Sequence, residues 1–314
     1  MKNPFLNRRN TDRFMKLFNT VAGASLIPYD MGDSFINWFC STSFASDDYL
    51  RHRTDPFREY LLLQGFQGDI KEITEKFLKV HFQHGWRTAA LSHLSDKKFD
   101  KMITYKGLEI FEKGYQAGKG VVLVNSHFGW PSVALWLFVR RGYADFYSIL
   151  GERGVNTTKV AGIRKDCLPH FLSVSRESKG EAFRLLFQAR EKLEAGGIVH
   201  ILGDGQHGRS HFSFPFMDKV RGFRASFAEL GLITEALIIP VFVLPAENGR
   251  ALVEFHEPLS KGSEEEDHQQ RLENILQQYA HLLESKWKEN PHFIHGGFID
   301  THIRQVEAEL LNEI

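Results

Sequence analysis

The sequence predicts an α/β fold in which a mainly parallel sheet is covered by helices and preceded by an N-terminal helical region. Three observations lead to this prediction. Short apolar runs alternate along the chain with longer segments of helical periodicity. Those apolar runs carry few polar residues on either face, which is typical of strands buried on both sides in a parallel sheet. The first third of the chain shows helical patterns alone before the alternation begins.

The N-terminal region is predicted to be helical because of the spacing of its apolar residues. They recur every three or four positions in residues 69–91, with charged residues between them. Ser95 and Asp96 are suitable helix caps, and the glycines at 118 and 120 suit a helix end. We therefore predict a helical region over residues 1–118, packed on a core formed by residues 119–314.

The rest of the chain alternates between the two patterns. The predicted strands cover residues 120–126, 145–151, 198–204, 237–245 and 250–259. The predicted helices cover residues 130–142, 178–197, 223–236 and 263–291, with a further amphipathic helix from Asp300. Ligands of such sheets bind at the carboxyl ends of the strands, so that edge is the first place to look for a site.

Composition excludes several classes of function. Lys plus Arg and Asp plus Glu both total 39, so no basic field favours nucleic acid. The two cysteines, Cys40 and Cys167, lie in no metal-binding spacing and suit a reducing cytosol. No apolar run near the N-terminus is long enough to span a bilayer. We expect a cytoplasmic protein.

One histidine stands where a functional residue is expected. The strand over residues 120–126 delivers His127 to its carboxyl end, and Gly129 and Pro131 follow in a tight turn. Histidine titrates near neutral pH, so it can serve there as a general base. Asp204 follows another apolar strand in the same way, which predicts that both side chains lie at one edge of the sheet.

Several segments around these residues resemble the bacterial lipid A biosynthesis acyltransferase family, within the lysophospholipid acyltransferase superfamily. The resemblance lies in "YKGLEIFEKGYQAGKGVVLVNSHFG", in "EKLEAGGIVHILGDGQHGRSHFSFPFMDK" and in "SFAELGLITEALIIPVFVL". It extends from about residue 70 to about residue 287. The superfamily's fold agrees with the one that the alternating patterns predict.

The family's signature is a histidine followed, after four residues, by Asp or Glu. The histidine corresponds to His127, but the acidic position is Ser132, which can accept a hydrogen bond without supplying a charge. Three interpretations stay open. Another carboxylate replaces the acid, with Asp204 and Glu152 as candidates, or the reaction is easier than the acylation of a hydroxyl, or the protein has lost activity.

The resemblance also implies where substrates bind. Gln206 and Arg209 lie in a glycine-rich loop that would help to hold substrate, and no metal is implied. Arg164 and Arg176 could contact phosphate groups or could be solvated surface residues. Phe216 ends an alternating Phe pattern that suits either an acyl groove or a half-buried strand.

The function implied by the resemblance is acyl transfer from a thioester, on acyl carrier protein or coenzyme A, to a hydroxyl or amine. Main-chain N–H groups near Gly129, or a nearby arginine, would stabilise the oxyanion. The acceptor would be a lipid or an amphipathic small molecule, and no cofactor is needed. Family members work at the cytoplasmic face of the inner membrane, so peripheral contact is possible. Three alternatives remain: an acceptor unrelated to lipid A, an inactive member that binds acyl chains or a partner protein, or a hydrolase that uses Ser126 or Ser132.

Overall fold

The computed structural model describes residues 17–18, 26–41, 48–152, 154–156, 162–174, 181–205, 211–263, 265–299 and 302–303. The helices are α1 (Tyr29–Ser41), α2 (Asp48–Leu63), α3 (Ile70–His93), α4 (Asp96–Met102), α5 (Leu108–Gln116), α6 (Pro131–Arg140), α7 (Glu181–Glu194), α8 (Ser226–Thr234) and α9 (His268–Glu289). The strands are β1 (Ile103–Lys106), β2 (Val121–Asn125), β3 (Phe146–Gly151), β4 (His170–Val174), β5 (Ile198–Leu202), β6 (His211–Phe216), β7 (Lys219–Arg224), β8 (Leu237–Pro245) and β9 (Ala251–Phe255).

Seven strands form one sheet, in the order β1-β9-β8-β2-β5-β3-β4. Every neighbouring pair is parallel except β8 and β9, so the predicted α/β fold with a mainly parallel sheet is confirmed. The strands β6 and β7 form a separate antiparallel hairpin. None of the described helices is both long and apolar enough to cross a bilayer.

The apolar run of β2 is explained by its central position. All five of its residues are buried, and alternate side chains enter different hydrophobic clusters on the two faces of the sheet. Val122 and Val124 pack with α7, α8 and α9, whereas Val121 and Leu123 pack with α5 and α6. A strand covered on both faces has no polar side, which is why the sequence shows none.

Three strands differ from what the sequence predicts. β1 lies inside the region predicted to be helical and pairs with β9, because its four residues are too few to show a period against the helical background. β4 and the hairpin strand β7 also lack a clear alternating pattern. The division of the chain between residues 118 and 119 stays a prediction. β1 lies before this division and belongs to the sheet whose other six strands lie after it.

A buried carboxylate ties three elements together. The side chain of Glu254 in β9 is 4% exposed and pairs with Lys286 of α9 at 2.8 Å and with Lys106 of β1 at 2.6 Å. The His256 ring at 3.6 Å and both lysines hold the pKa of Glu254 well below its usual range, in spite of its burial. The carboxylate therefore stays ionised and joins the end of the sheet to α9.

A buried histidine is expected to make stability depend on pH. His200 in β5 is fully buried beside the Ser148 hydroxyl, and burial, followed by the effect of His127, lowers its pKa from 6.5 to about 3. Between these two pKa values the unfolded chain therefore binds a proton at His200, and the folded chain does not. Stability from this residue is complete above pH 6.5 and is lost as the pH falls towards 3.

When the pH falls from about 7.5 to about 5.5, His200 should lower the unfolding free energy by about 1 kcal/mol. Urea unfolding at the two pH values measures it. The matched variant is His200→Gln, which keeps a hydrogen-bonding group beside Ser148 but does not titrate. The variant should lose about 1 kcal/mol less over the same interval. Equal losses in the two proteins would contradict the assignment.

Candidate functional site

His127 and Asp204 meet at the carboxyl ends of two neighbouring strands. β2 and β5 pair in parallel, with Asn125 opposite Leu202, and each candidate lies two residues beyond its strand. The imidazole Nδ1 lies 2.9 Å from Asp204 Oδ1, and the main-chain N–H of His127 donates to Asp204 Oδ2 at 2.7 Å. The prediction that both side chains share one edge of the sheet is confirmed.

This geometry fixes the tautomer of the histidine. An ionised carboxylate only accepts hydrogen bonds, so Nδ1 carries the proton of this bond, and in the neutral ring Nε2 has the lone pair. Burial works against the Asp204 charge, but His127 and Arg221 outweigh it and hold the pKa of Asp204 below its usual range. The His127 side chain is 33% exposed whereas that of Asp204 is 2% exposed. The pair can therefore present a basic nitrogen to a bound molecule while the acid stays shielded.

Two glycines allow the strand ends to come together. A Cβ on Gly129, whose φ is +70°, would lie 2.3 Å from the Val243 carbonyl oxygen. A Cβ on Gly203, the residue before Asp204, would lie 2.5 Å from Val124 and 2.9 Å from Tyr279. Tyr279 of α9 also donates its hydroxyl hydrogen to the Asn125 carbonyl oxygen at 2.7 Å, which holds the end of β2 against α9.

Ser132 is not the residue to which the His127 ring is hydrogen-bonded. It is the second residue of α6 and is half-buried, and within the described part of the chain the imidazole is hydrogen-bonded to Asp204 instead. Glu152 is exposed at the end of β3, two strands away from β2, and is not brought to His127. Of the two carboxylates proposed to replace the acid, Asp204 is the one that is hydrogen-bonded to His127.

The other candidate residues are placed less favourably. Arg164 is engaged by Asp166, with Nε–Oδ1 at 2.7 Å and Nη2–Oδ2 at 2.9 Å, so its fork is already occupied. Phe216 is 1% exposed and packs in the core against Trp287. The residue belongs to β6, which is a half-buried strand, one of the two structures that the alternating Phe pattern predicts. Its part in an acyl groove stays a prediction, since its side chain leaves almost no surface exposed. Three predicted substrate-binding residues lie outside the described residues: Arg176, Gln206 and Arg209.

A segment after α9 covers the turn that follows His127. The Gly129 N–H donates to the Phe293 carbonyl at 2.8 Å, and the His295 N–H donates to the His127 carbonyl at 3.1 Å. Phe128 and Ile294 form the antiparallel bridge between these bonds. Because the Gly129 N–H is engaged, the expectation that it stabilises an oxyanion does not fit this arrangement. The Trp130 N–H is likewise bonded to Val243.

Phe298 from the same segment lies on the histidine ring. The two ring centres are 4.2 Å apart and the planes are 24° from parallel, so one face of the imidazole is covered. Sequence reasoning missed Phe298, as well as Tyr279 and Arg221. The sole available signal was the aromatic and histidine-rich stretch "HFIHGGF" at residues 292–298. Nothing in the sequence connected that stretch with residue 127.

A family model described as bacterial lipid A biosynthesis acyltransferase matches residues 71–293. The chain belongs to this family. The match includes His127, Ser132, Asp204 and Arg221, and it ends before Phe298, so the ring that covers His127 comes from outside the matched region. Acyl transfer is thus the general chemistry of the family to which this chain belongs.

A solved structure that resembles the chain is the 1-acyl-sn-glycerophosphate acyltransferase PlsC from Thermotoga maritima, at 16% sequence identity and a TM-score of 0.35. The similarity covers 82% of this chain and 99% of that one. A search of curated proteins finds no match.

In the described part of this family member, no three His, Cys, Asp or Glu side chains converge as a metal site requires.

Proposed function

We propose that this protein transfers a fatty acyl group from a thioester to a hydroxyl or amine acceptor, with His127 as the general base. The observation that carries the proposal is the hydrogen bond between His127 Nδ1 and Asp204 Oδ1, in a member of an acyltransferase family. Asp204 would orient the imidazole and stabilise its protonated form, which is the role of the missing acid at 132.

The reaction would proceed in two stages. His127 Nε2 takes the proton of the acceptor O–H or N–H while the acceptor atom attacks the thioester carbonyl carbon. The tetrahedral intermediate then collapses, the C–S bond breaks, and the leaving thiolate takes the proton from the imidazolium. The Asp204 carboxylate offsets the positive charge that the ring carries between these stages.

The substrates follow from the same proposal. The donor would be an acyl chain on acyl carrier protein or coenzyme A, and the acceptor a lipid or an amphipathic small molecule. No organic cofactor enters the reaction, because the thioester already supplies an activated carbonyl. A lipid acceptor would bring the protein into peripheral contact with the cytoplasmic face of a membrane.

A transfer assay tests the proposal. The purified full chain is incubated with a long-chain acyl thioester on each carrier and with hydroxyl or amine acceptors, and mass spectrometry follows the acyl product while a thiol reagent follows donor cleavage. Turnover that disappears in His127→Ala is the expected result. Turnover unchanged in that variant would refute the role of His127. Acyl binding without turnover on any donor would identify an inactive, acyl-binding member.

A further inference from the structure

Arg221 is a buried cation immediately behind the proposed catalytic pair. It lies in β7 of the hairpin, its side chain is fully buried, and its Nη2 donates to the main-chain carbonyl of Asp204 at 3.1 Å. The mechanism above does not use it. A charged side chain sealed from water is costly unless something compensates it, so its position needs an explanation.

Aromatic rings form most of the surroundings of this cation. The guanidinium carbon lies 5.0 Å from the ring centres of Phe216 and Trp287, 5.4 Å from Phe223 and 5.6 Å from Phe298. Ring faces attract a cation, and they do so more strongly where water is excluded. Phe298 also lies on the His127 ring, so the rings around Arg221 extend to the site itself.

The carboxylate that balances this cation electrostatically is that of Asp204. Among the described residues, no acidic group lies within ion-pair distance of the guanidinium, and its hydrogen bond goes to the Asp204 carbonyl. Burial lowers the pKa of Arg221, whereas Asp204 raises it; in return Arg221 lowers the pKa of Asp204. The buried Arg221 guanidinium and the buried Asp204 carboxylate therefore each favour the charged form of the other.

The hydrogen bond adds a geometric constraint. It holds the main chain of Asp204, while the two carboxylate oxygens of that residue reach Nδ1 and the main-chain N–H of His127. A rotation of the Asp204 main chain would break one or both of these contacts. Arg221 is thus placed to fix the position of the carboxylate as well as its charge.

We infer that Arg221 is a positioning residue that acts through Asp204, keeping its carboxylate ionised and directed at His127. This inference rests on the proposed function of the His127–Asp204 pair. It adds a residue that the family signature does not contain. A purely structural role for Arg221 would instead be limited to filling the space between the four rings.

A double-mutant cycle separates the two roles. In the wild-type background, Arg221→Gln keeps a hydrogen-bond donor but removes the charge, and kcat should fall about 10–100-fold with KM changed little. In the Asp204→Asn background the same substitution should change kcat less than about threefold, because the group it acts on is gone. Equal losses in the two backgrounds would overturn the inference. Arg221→Lys, which keeps the charge, should recover most of the activity.

A spectroscopic measurement keeps the test independent of turnover. In ¹⁵N-labelled protein, the His127 Nδ1–H proton should resonate far downfield because it is bonded to a carboxylate, and Asp204→Asn identifies the signal by removing it. The signal should persist in Arg221→Lys and should shift or broaden in Arg221→Gln. An unchanged signal in Arg221→Gln would contradict the inference even if the wild type proved inactive. If Arg221→Gln does not fold, loss of the signal in a folded Arg221→Lys protein would contradict it.

Discussion

Asp204→Asn is expected to lower kcat by about 10²–10⁴-fold, because the amide supplies no charge for the imidazolium and does not enforce the Nδ1–H tautomer. The contact that is lost is the 2.9 Å bond between Nδ1 and Oδ1. Steady-state kinetics with the best donor and acceptor measure the effect. Circular dichroism of the variant establishes that the loss is not due to unfolding.

The matched control is the residue at the signature position. Ser132→Ala should change kcat less than about threefold, since Asp204 and not Ser132 is bonded to the imidazole. Ser132→Asp should bring no gain, because it adds a second carboxylate to a site that already has one. A large loss in Ser132→Ala, or a large gain in Ser132→Asp, would show that Ser132 and not Asp204 determines the state of the histidine.

Glu254→Gln is expected to lower the unfolding free energy by about 3–5 kcal/mol, the usual cost of removing one partner from a buried ion pair. The substitution would remove the nearest carboxylate from the Lys286 ammonium, which is 11% exposed, and leave it the largely exposed Glu289 carboxylate at 3.8 Å. Chemical denaturation measures the loss. The effect would be on stability, since Glu254 makes no contact with His127 or Asp204 within the described residues.

The same carboxylate provides a control. Lys106 also pairs with Glu254, but its side chain is 70% exposed, and exposed pairs contribute little. Lys106→Ala should therefore lower the unfolding free energy much less than Glu254→Gln does. If both substitutions cost the same, the burial of the Lys286 pair would have no special weight, and the large value expected for Glu254→Gln would be wrong.

Much of the fold could be predicted because buried parallel strands carry a strong local signal. The apolar runs of β2 and β5 are short and bounded by glycines or polar residues, so their type and approximate limits can be predicted from the sequence. β1 could not be predicted, because its four residues gain their strand character from pairing with β9, about 150 positions later. Tertiary pairing overrides local preference there.

Some residues of the site could be predicted from the sequence and others could not. Placing His127 and Asp204 at one edge of the sheet required only that both follow parallel strands. Choosing Asp204 over Glu152 required the strand order, because β5 is the neighbour of β2 and β3 is not. Arg221 and Phe298 could not be found, since their importance depends on the packing of the hairpin and of the segment after α9 against residue 127.

The bridge between Phe128 and Ile294 has a consequence for the protein during its synthesis. A ribosome extends the chain from the N-terminus, so residues 127–129 leave the exit tunnel long before their partners at 293–295 are translated. Until then the Gly129 N–H and the His127 carbonyl lack the bonds they have in the finished fold. The surroundings of His127 are thus completed late in translation. A nascent chain stalled before residue 293 should be accessible at this turn to proteases that the finished protein resists.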